Sequence, residues 1–74
     1  MKSTQNDSSS NSVAEKLRQV REELGFTQEQ AADLLKRPQS YVSRCEMGIK
    51  HLEIRDLEAY CLIYKKTISF FLPK

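Results

Sequence analysis

The sequence has one histidine, His51, and two cysteines, Cys45 and Cys61, well separated in a chain of 74 residues. Two such cysteines are too few and too distant for a disulfide framework or a zinc ribbon, and a lone histidine cannot complete an ordinary four-ligand metal site. The thiols read as cytosolic ones. Only two glycines are present, with no glycine-rich phosphate loop and no carboxylate pair suited to a cleft, so the roles an enzyme needs stay unfilled. No catalytic residue, metal or cofactor is expected. The longest apolar run, residues 59–64, is far too short to span a bilayer, and the N-terminus lacks the apolar stretch of a signal peptide. The expectation is a cytoplasmic chain without a membrane contact. A strongly basic balance is missing too: 12 Lys or Arg against 10 Asp or Glu give a net charge of +2, which does not by itself announce a nucleic-acid binder.

The charge is unevenly placed. Residues 36–51 hold Lys36, Arg37, Arg44 and Lys50 against Glu46 alone, whereas acids outnumber bases over residues 13–35. A phosphate backbone would pass along the basic half. Residues 1–11 contain no apolar residue after Met1 and read as a disordered polar tail. The remaining domain, 12–72, is small enough to bury only about 60% of its unfolded surface, so help from a partner is expected.

Hydrophobic spacing predicts five helices and no strand, an all-α fold. Ser12 with Glu15 forms a capping box that opens a first helix with apolar positions Val13, Leu17, Val20 and Leu24, closed by Gly25 with Phe26 folded back. Thr27 with Gln30 forms a second capping box, starting a helix at about Gln28 that runs to Leu35. Lys36, Arg37 and Pro38 make the joint, and a third helix follows over Gln39 to Met47 with Gly48 as its C-cap. After a connection comes a fourth helix, Ile54 to Lys65, carrying Leu57, Tyr60, Cys61 and Tyr64 at helical spacing. A last short turn from Thr67 returns Ile68, Phe70, Phe71 and Leu72 to the core.

The third helix has two faces. Val42, Cys45, Glu46 and Ile49 form its inward stripe; Ser40, Ser43, Arg44 and Met47 form the opposite one, with Tyr41 at the border. Ala31 and Ala32 are small where a crossing helix must come close, and Val42 is the residue to meet them. Arg21 and Glu46 both fall in apolar stripes. Paired and hydrogen-bonded charges are the tolerated kind, so these two are expected to bond to each other; the alternative is that both extend to solvent at helix edges. Cys45 and Cys61 sit on inward stripes, where a thiol is usually inert core rather than a redox sensor.

From Phe26 to Gly48 the order is an apolar residue, Thr-Gln-Glu, two small residues, and later Val-Ser-Arg-x-Glu-x-Gly. With LRQVREELGFTQEQAADLL and PQSYVSRCE as its carrying segments, this resembles the phage repressor and Cro type of helix-turn-helix domain, the XRE family of DNA-binding regulators. The resemblance implies a compact repressor-like five-helix domain whose second and third helices form the helix-turn-helix. It implies that Thr27 and Gln28 anchor a phosphate with the amides of helix 2, that Gln39, Ser40 and Arg44 reach base edges, and that Tyr41 and Ser43 contact base or backbone. Similar domains also make the pair expected here between Arg21 and Glu46. Gln pairs with adenine and Arg with guanine, which makes Gln39 and Arg44 the main specificity candidates. Lys36, Arg37 and Lys50 are placed for phosphate. Lys36 stands where this family often has Gly, so it must turn left-handed or the joint must differ.

The expected function is a sequence-specific regulator of transcription, a repressor occupying a palindromic operator as a homodimer with helix 3 in the major groove. Its partner is double-stranded DNA. Leu62, Phe70 and Leu72 are the candidate dimer interface, since clustered apolar groups mark contact sites. The chain has no evident room for a ligand pocket, so no small-molecule ligand is expected. The competing function is a protein-interaction module such as an antitoxin or adaptor on the same fold.

Overall fold

A computed structural model describes the backbone of residues 9–72 and the side chains of residues 13–72. Its elements are α1 (Ser9–Glu23), α2 (Gln28–Leu35), α3 (Gln39–Met47), α4 (Ile54–Tyr64) and α5 (Ile68–Phe71), with no strand among the described residues. The fold is all-α. Helix α1 begins three residues before the expected capping box, so Ser12 lies inside it and residues 9–11 are helical. Residues 1–8 of the expected polar tail lie outside the described residues.

The chain reverses sharply after α1 because Gly25 takes a left-handed conformation, φ 80°. Its N–H donates to Glu22 O at 3.1 Å and that of Phe26 to Arg21 O at 3.0 Å, satisfying carbonyls the helix end would leave unpaired. Thr27 then caps α2: its Oγ1 accepts from the Gln30 N–H at 3.0 Å, while the Gln30 side chain accepts from the Thr27 N–H at 2.9 Å. No linker separates the two helices beyond this shared turn.

Helix α2 ends on Lys36 at φ 60° and ψ 44°, a left-handed residue with a side chain. The Lys36 and Arg37 N–H groups donate to Asp33 O and Ala32 O, closing the same kind of cap that Gly25 makes. A side-chain-bearing residue here costs about 1–2 kcal/mol relative to a right-handed one, whereas glycine escapes that cost but loses about 0.5–1 kcal/mol through the freedom of its unfolded state. Lys36→Gly is therefore expected to stabilise the domain by up to about 1 kcal/mol, a rise of several degrees in Tm. Thermal denaturation checks this; a fall in Tm would mean that the Lys36 side chain holds the joint by some other contact.

Pro38 occupies the N-cap of α3, one position earlier than a first helical residue, and Gly48 closes the helix at φ 77°. Helix α4 starts with an acidic cap at the end of the expected connection: the Asp56 side chain accepts from the Glu53 N–H at 2.9 Å. Its C-cap, Lys65, is a second left-handed residue with a side chain, φ 59°.

The core gathers Leu17 and Val20 of α1, Ala31 and Ala32 of α2, Val42 and Cys45 of α3, Leu57, Tyr60 and Tyr64 of α4, and Phe71 of α5. Because Ala31 and Ala32 have only a methyl group each, α2 and α3 approach closely enough for Val42 to be fully buried. Phe26 stacks on Tyr64 with ring centroids 6.2 Å apart, which ties the α1–α2 turn to α4. Burial pushes the Tyr60 and Tyr64 hydroxyls and the Cys45 thiol up from their ordinary values, so all three stay protonated near neutrality. A protonated buried thiol is a poor nucleophile.

Two stripe positions differ from expectation. Leu24 is 49% exposed and Ile49 64% exposed, because each sits where its helix is already unwinding into a cap and no longer follows the helical period. Cys61 is half-buried against the core, and Ala14 joins the buried set. The expectation of no room for a pocket is also corrected: an apolar groove of about 390 Å³ lies among Val13, Ala14, Leu52, Ile54, Leu57 and Leu72.

Candidate nucleic-acid interface

The reading surface is held by a polar chain that crosses three helices. Arg21 Nε donates to Glu46 Oε2 at 2.7 Å and its Nη2 to Glu46 Oε1 at 3.1 Å, a two-point pairing of planar groups. The Arg21 Nη1 reaches further, to Phe26 O at 2.8 Å. The bond to Glu46 raises the Arg21 pKa further above its ordinary value, so its charge is permanent. Glu46 is the more enclosed partner, its side chain only 3% exposed. One arginine thus fastens the end of α1 to both the start of α2 and the last turn of α3.

Glu46 Oε1 also accepts from Gln28 Nε2 at 3.1 Å, and Gln28 Oε1 accepts in turn from Gln39 Nε2 at 3.0 Å. Both ends of the Gln28 amide are therefore engaged within the protein, rather than the side chain standing out as the phosphate anchor the sequence reading expected. An amide NH2 has two hydrogens, so one N–H of Gln28 and the backbone N–H groups of the first turn of α2 remain for an anion. Thr27 spends its hydroxyl oxygen on the cap, which leaves its O–H as a donor at the same helix end.

Gln39 has its orientation set by this chain while keeping what recognition needs. One of its amide hydrogens goes to Gln28; the residue is exposed, and its Oε1 and second hydrogen have no hydrogen-bond partner among the described residues. An acceptor beside a donor is the pair that matches the N6 and N7 positions of adenine. Ser40 and Arg44 are exposed on the same helix. Arg44 takes no part in the ion pairs among the described residues, so its guanidinium remains available.

The structure separates two residues from that row. Ser43 is half-buried and its hydroxyl lies 3.6 Å from Met47 Sδ along its own helix. Tyr41 is half-buried, and its hydroxyl donates to Asp56 Oδ1 on α4 at 3.2 Å. Its polar atom thus faces the protein, in contrast to the base or backbone contact expected of it. Lys36 and Arg37 are exposed at the α2–α3 joint, and Lys50, half-buried after α3, donates to His51 O at 3.0 Å.

A family model described as a helix-turn-helix domain matches residues 12–66, most of the chain. The chain belongs to the helix-turn-helix family. In a helix-turn-helix the second helix is the one that enters the groove and the first crosses it, and the positions of those two helices here are α3 and α2. Solved structures share this fold. The clp gene regulator ClgR from Corynebacterium glutamicum matches with a TM-score of 0.81 at 19% identity, over 90% of this chain and 71% of that one. A hypothetical transcription factor, NHTF from Neisseria, matches with a TM-score of 0.84 at 19% identity, over 99% of this chain and 86% of that one. Fe(II)-HppE, crystallised with an alternative substrate, matches with a TM-score of 0.82 at 23% identity, over 92% of this chain but only 35% of that one. At these identities the likeness is one of fold. No curated protein sequence matches the chain. Among the described residues no helix is long and apolar enough to cross a membrane, and no group of three His, Cys, Asp or Glu stands together as a metal site.

Asp56 links the interface to stability. Its carboxyl is held below the usual value of 3.8, first by the Glu53 N–H and then by the Tyr41 hydroxyl, with Lys50 and Arg37 adding attraction. A group whose folded pKa is depressed contributes stability that is present above its unfolded pKa and lost as the pH falls through the folded one. Asp56→Asn is expected to lower Tm at neutral pH, by an amount that shrinks below about pH 4 as the wild-type carboxyl protonates. Paired melts across the acid range check this; a pH-independent difference would contradict it.

Proposed function

We propose that this helix-turn-helix domain is a sequence-specific double-stranded DNA-binding regulator of transcription, a repressor that occupies a palindromic operator as a homodimer with α3 in the major groove. The observation that carries the reading is the tethered Gln39 beside exposed Ser40 and Arg44 on a helix whose opposite face buries Val42 and Cys45 in the core. Rigid scaffolding behind polar groups that face outward is what base readout requires, because each misplaced donor costs affinity for the right sequence. Gln39 reads adenine and Arg44 guanine, while Lys36, Arg37, Lys50 and the α2 N-terminus at Thr27 and Gln28 meet phosphates.

Dimerisation is part of the same proposal. Leu62 on α4 is 80% exposed and Phe70 on α5 is 40% exposed, while Leu72 is half-buried against the core. A single module reads few base pairs, and two related by a twofold axis double the site. Sedimentation at roughly tens of micromolar, the range of weak specific association, is expected to show a dimer. An exposed apolar patch of this kind also suits the second reading, an antitoxin or adaptor that binds another protein.

Titrating isotope-labelled protein with a short duplex tests the orientation. The expected amide shifts concentrate at Gln28 and Gln39–Arg44, and shifts confined to the Leu62 and Phe70 region would favour the second reading.

A further inference from the structure

Tyr41 stands at the centre of a charged cluster that base reading leaves unexplained. The guanidinium carbon of Arg37, from the joint before α3, lies 5.1 Å from the centroid of its ring. The ammonium of Lys50, from the loop after α3, lies 5.7 Å from the same centroid. Two cations from opposite ends of the recognition helix therefore share one aromatic ring. The ring is fixed at its far end, where the hydroxyl donates to Asp56 Oδ1 at 3.2 Å and Asp56 in turn accepts from the Glu53 N–H. Asp56 supplies the negative charge that lets two like charges gather here, since it attracts both Lys50 and Arg37.

We infer that Tyr41 is a positioning residue rather than a base reader, and that its ring aligns Arg37 and Lys50 as one clamp on the phosphates of a single DNA strand. The inference rests on the DNA-binding reading above and deepens it. Aromatic faces attract cations and restrict where long side chains point. A lysine or arginine already held in place loses less freedom when it meets a phosphate. The clamp draws one arm from each side of α3, so it fixes the angle at which that helix enters the groove without touching a base.

The test compares wild type with Tyr41→Phe and Tyr41→Leu on a specific and a random-sequence duplex over a range of salt. Tyr41→Phe keeps the ring and is expected to retain the wild-type salt dependence. Tyr41→Leu removes the ring and is expected to weaken both duplexes alike. The slope of log K against log salt should fall by up to about 2 units, since roughly 0.9 accompanies each phosphate contact. Base preference at every position should be unchanged. Without DNA, the Lys50 side-chain protons should show a ring-current shift in wild type and Tyr41→Phe that is absent from Tyr41→Leu, provided melting confirms that each variant is folded. If Tyr41→Leu does not fold, Tyr41→Met, which fills more of the ring's volume without its aromatic face, takes its place with the same expected loss of shift and slope, and an unchanged slope in that folded variant overturns the clamp. Loss of preference at one base pair with an unchanged slope, or no ring-current shift in wild type, would overturn the clamp. A wild-type chain that binds neither duplex would overturn the DNA-binding reading instead.

Discussion

Arg21→Met is expected to destabilise the domain by about 3–5 kcal/mol, the cost of stranding one member of an enclosed ion pair. The arginine is 11% exposed and makes three hydrogen bonds, two to Glu46 and one to Phe26 O. Methionine would fill the space of its stem, but it would leave Glu46 charged, enclosed and held only by Gln28. Small domains are stable by only about 5–15 kcal/mol in total, and each kcal/mol is worth roughly 4–8 °C at this size. The variant should therefore melt tens of degrees lower or be largely unfolded at room temperature. The double variant Arg21→Met with Glu46→Leu is expected to recover most of the loss, because a buried pair replaced by apolar groups is often neutral or better. Recovery of stability should not restore recognition. Without Glu46, Gln28 loses the partner that orients it, and Gln39 loses its own orientation in turn. Thermal and denaturant melts check the first part and duplex binding the second. A single variant as stable as wild type would show that the pair is dispensable.

Arg44→Ala is expected to lower affinity for the preferred operator by about 1–3 kcal/mol for each half-site, the worth of a two-point contact to guanine. A dimer carries two copies, so the full effect on one operator reaches about twice that. Discrimination should fall at one base pair in each half-site and nowhere else. Stability should hardly move, since Arg44 is exposed and lies outside the ion pairs among the described residues. Random-sequence DNA should be affected far less than the operator. Binding measured against a panel of single-base substitutions checks this pattern; a uniform loss over all sequences would make Arg44 a phosphate contact.

Much of the scaffold is legible in the sequence because local chemistry decides it. Thr27 and Gln30 specify a cap within four residues, Gly25 and Gly48 supply left-handed turns, and the Ala31, Ala32 and Val42 pattern sets a close crossing. Residues whose behaviour depends on distant groups are harder to read. Gln28 looks like a phosphate anchor by its place at a helix start, yet its amide is engaged by Glu46 and Gln39, 18 and 11 residues away. Tyr41 looks like a border residue on the reading face until Asp56 on another helix draws its hydroxyl inward. Leu24 and Ile49 follow the apolar period only on paper, because the helices have ended where they stand. The start of α1 at Ser9 carries no apolar period to reveal it, and the Glu53–Asp56 cap escapes a search for Ser or Thr.

Selection of bound sites from a pool of random duplex DNA tests the central claim most directly. An α3 that reads bases from a twofold dimer predicts a palindromic consensus with half-site centres about 34 Å apart, one helical turn of the duplex. A pool that shows no enriched sequence after repeated rounds, or a chain that retains no duplex at low salt, would contradict it.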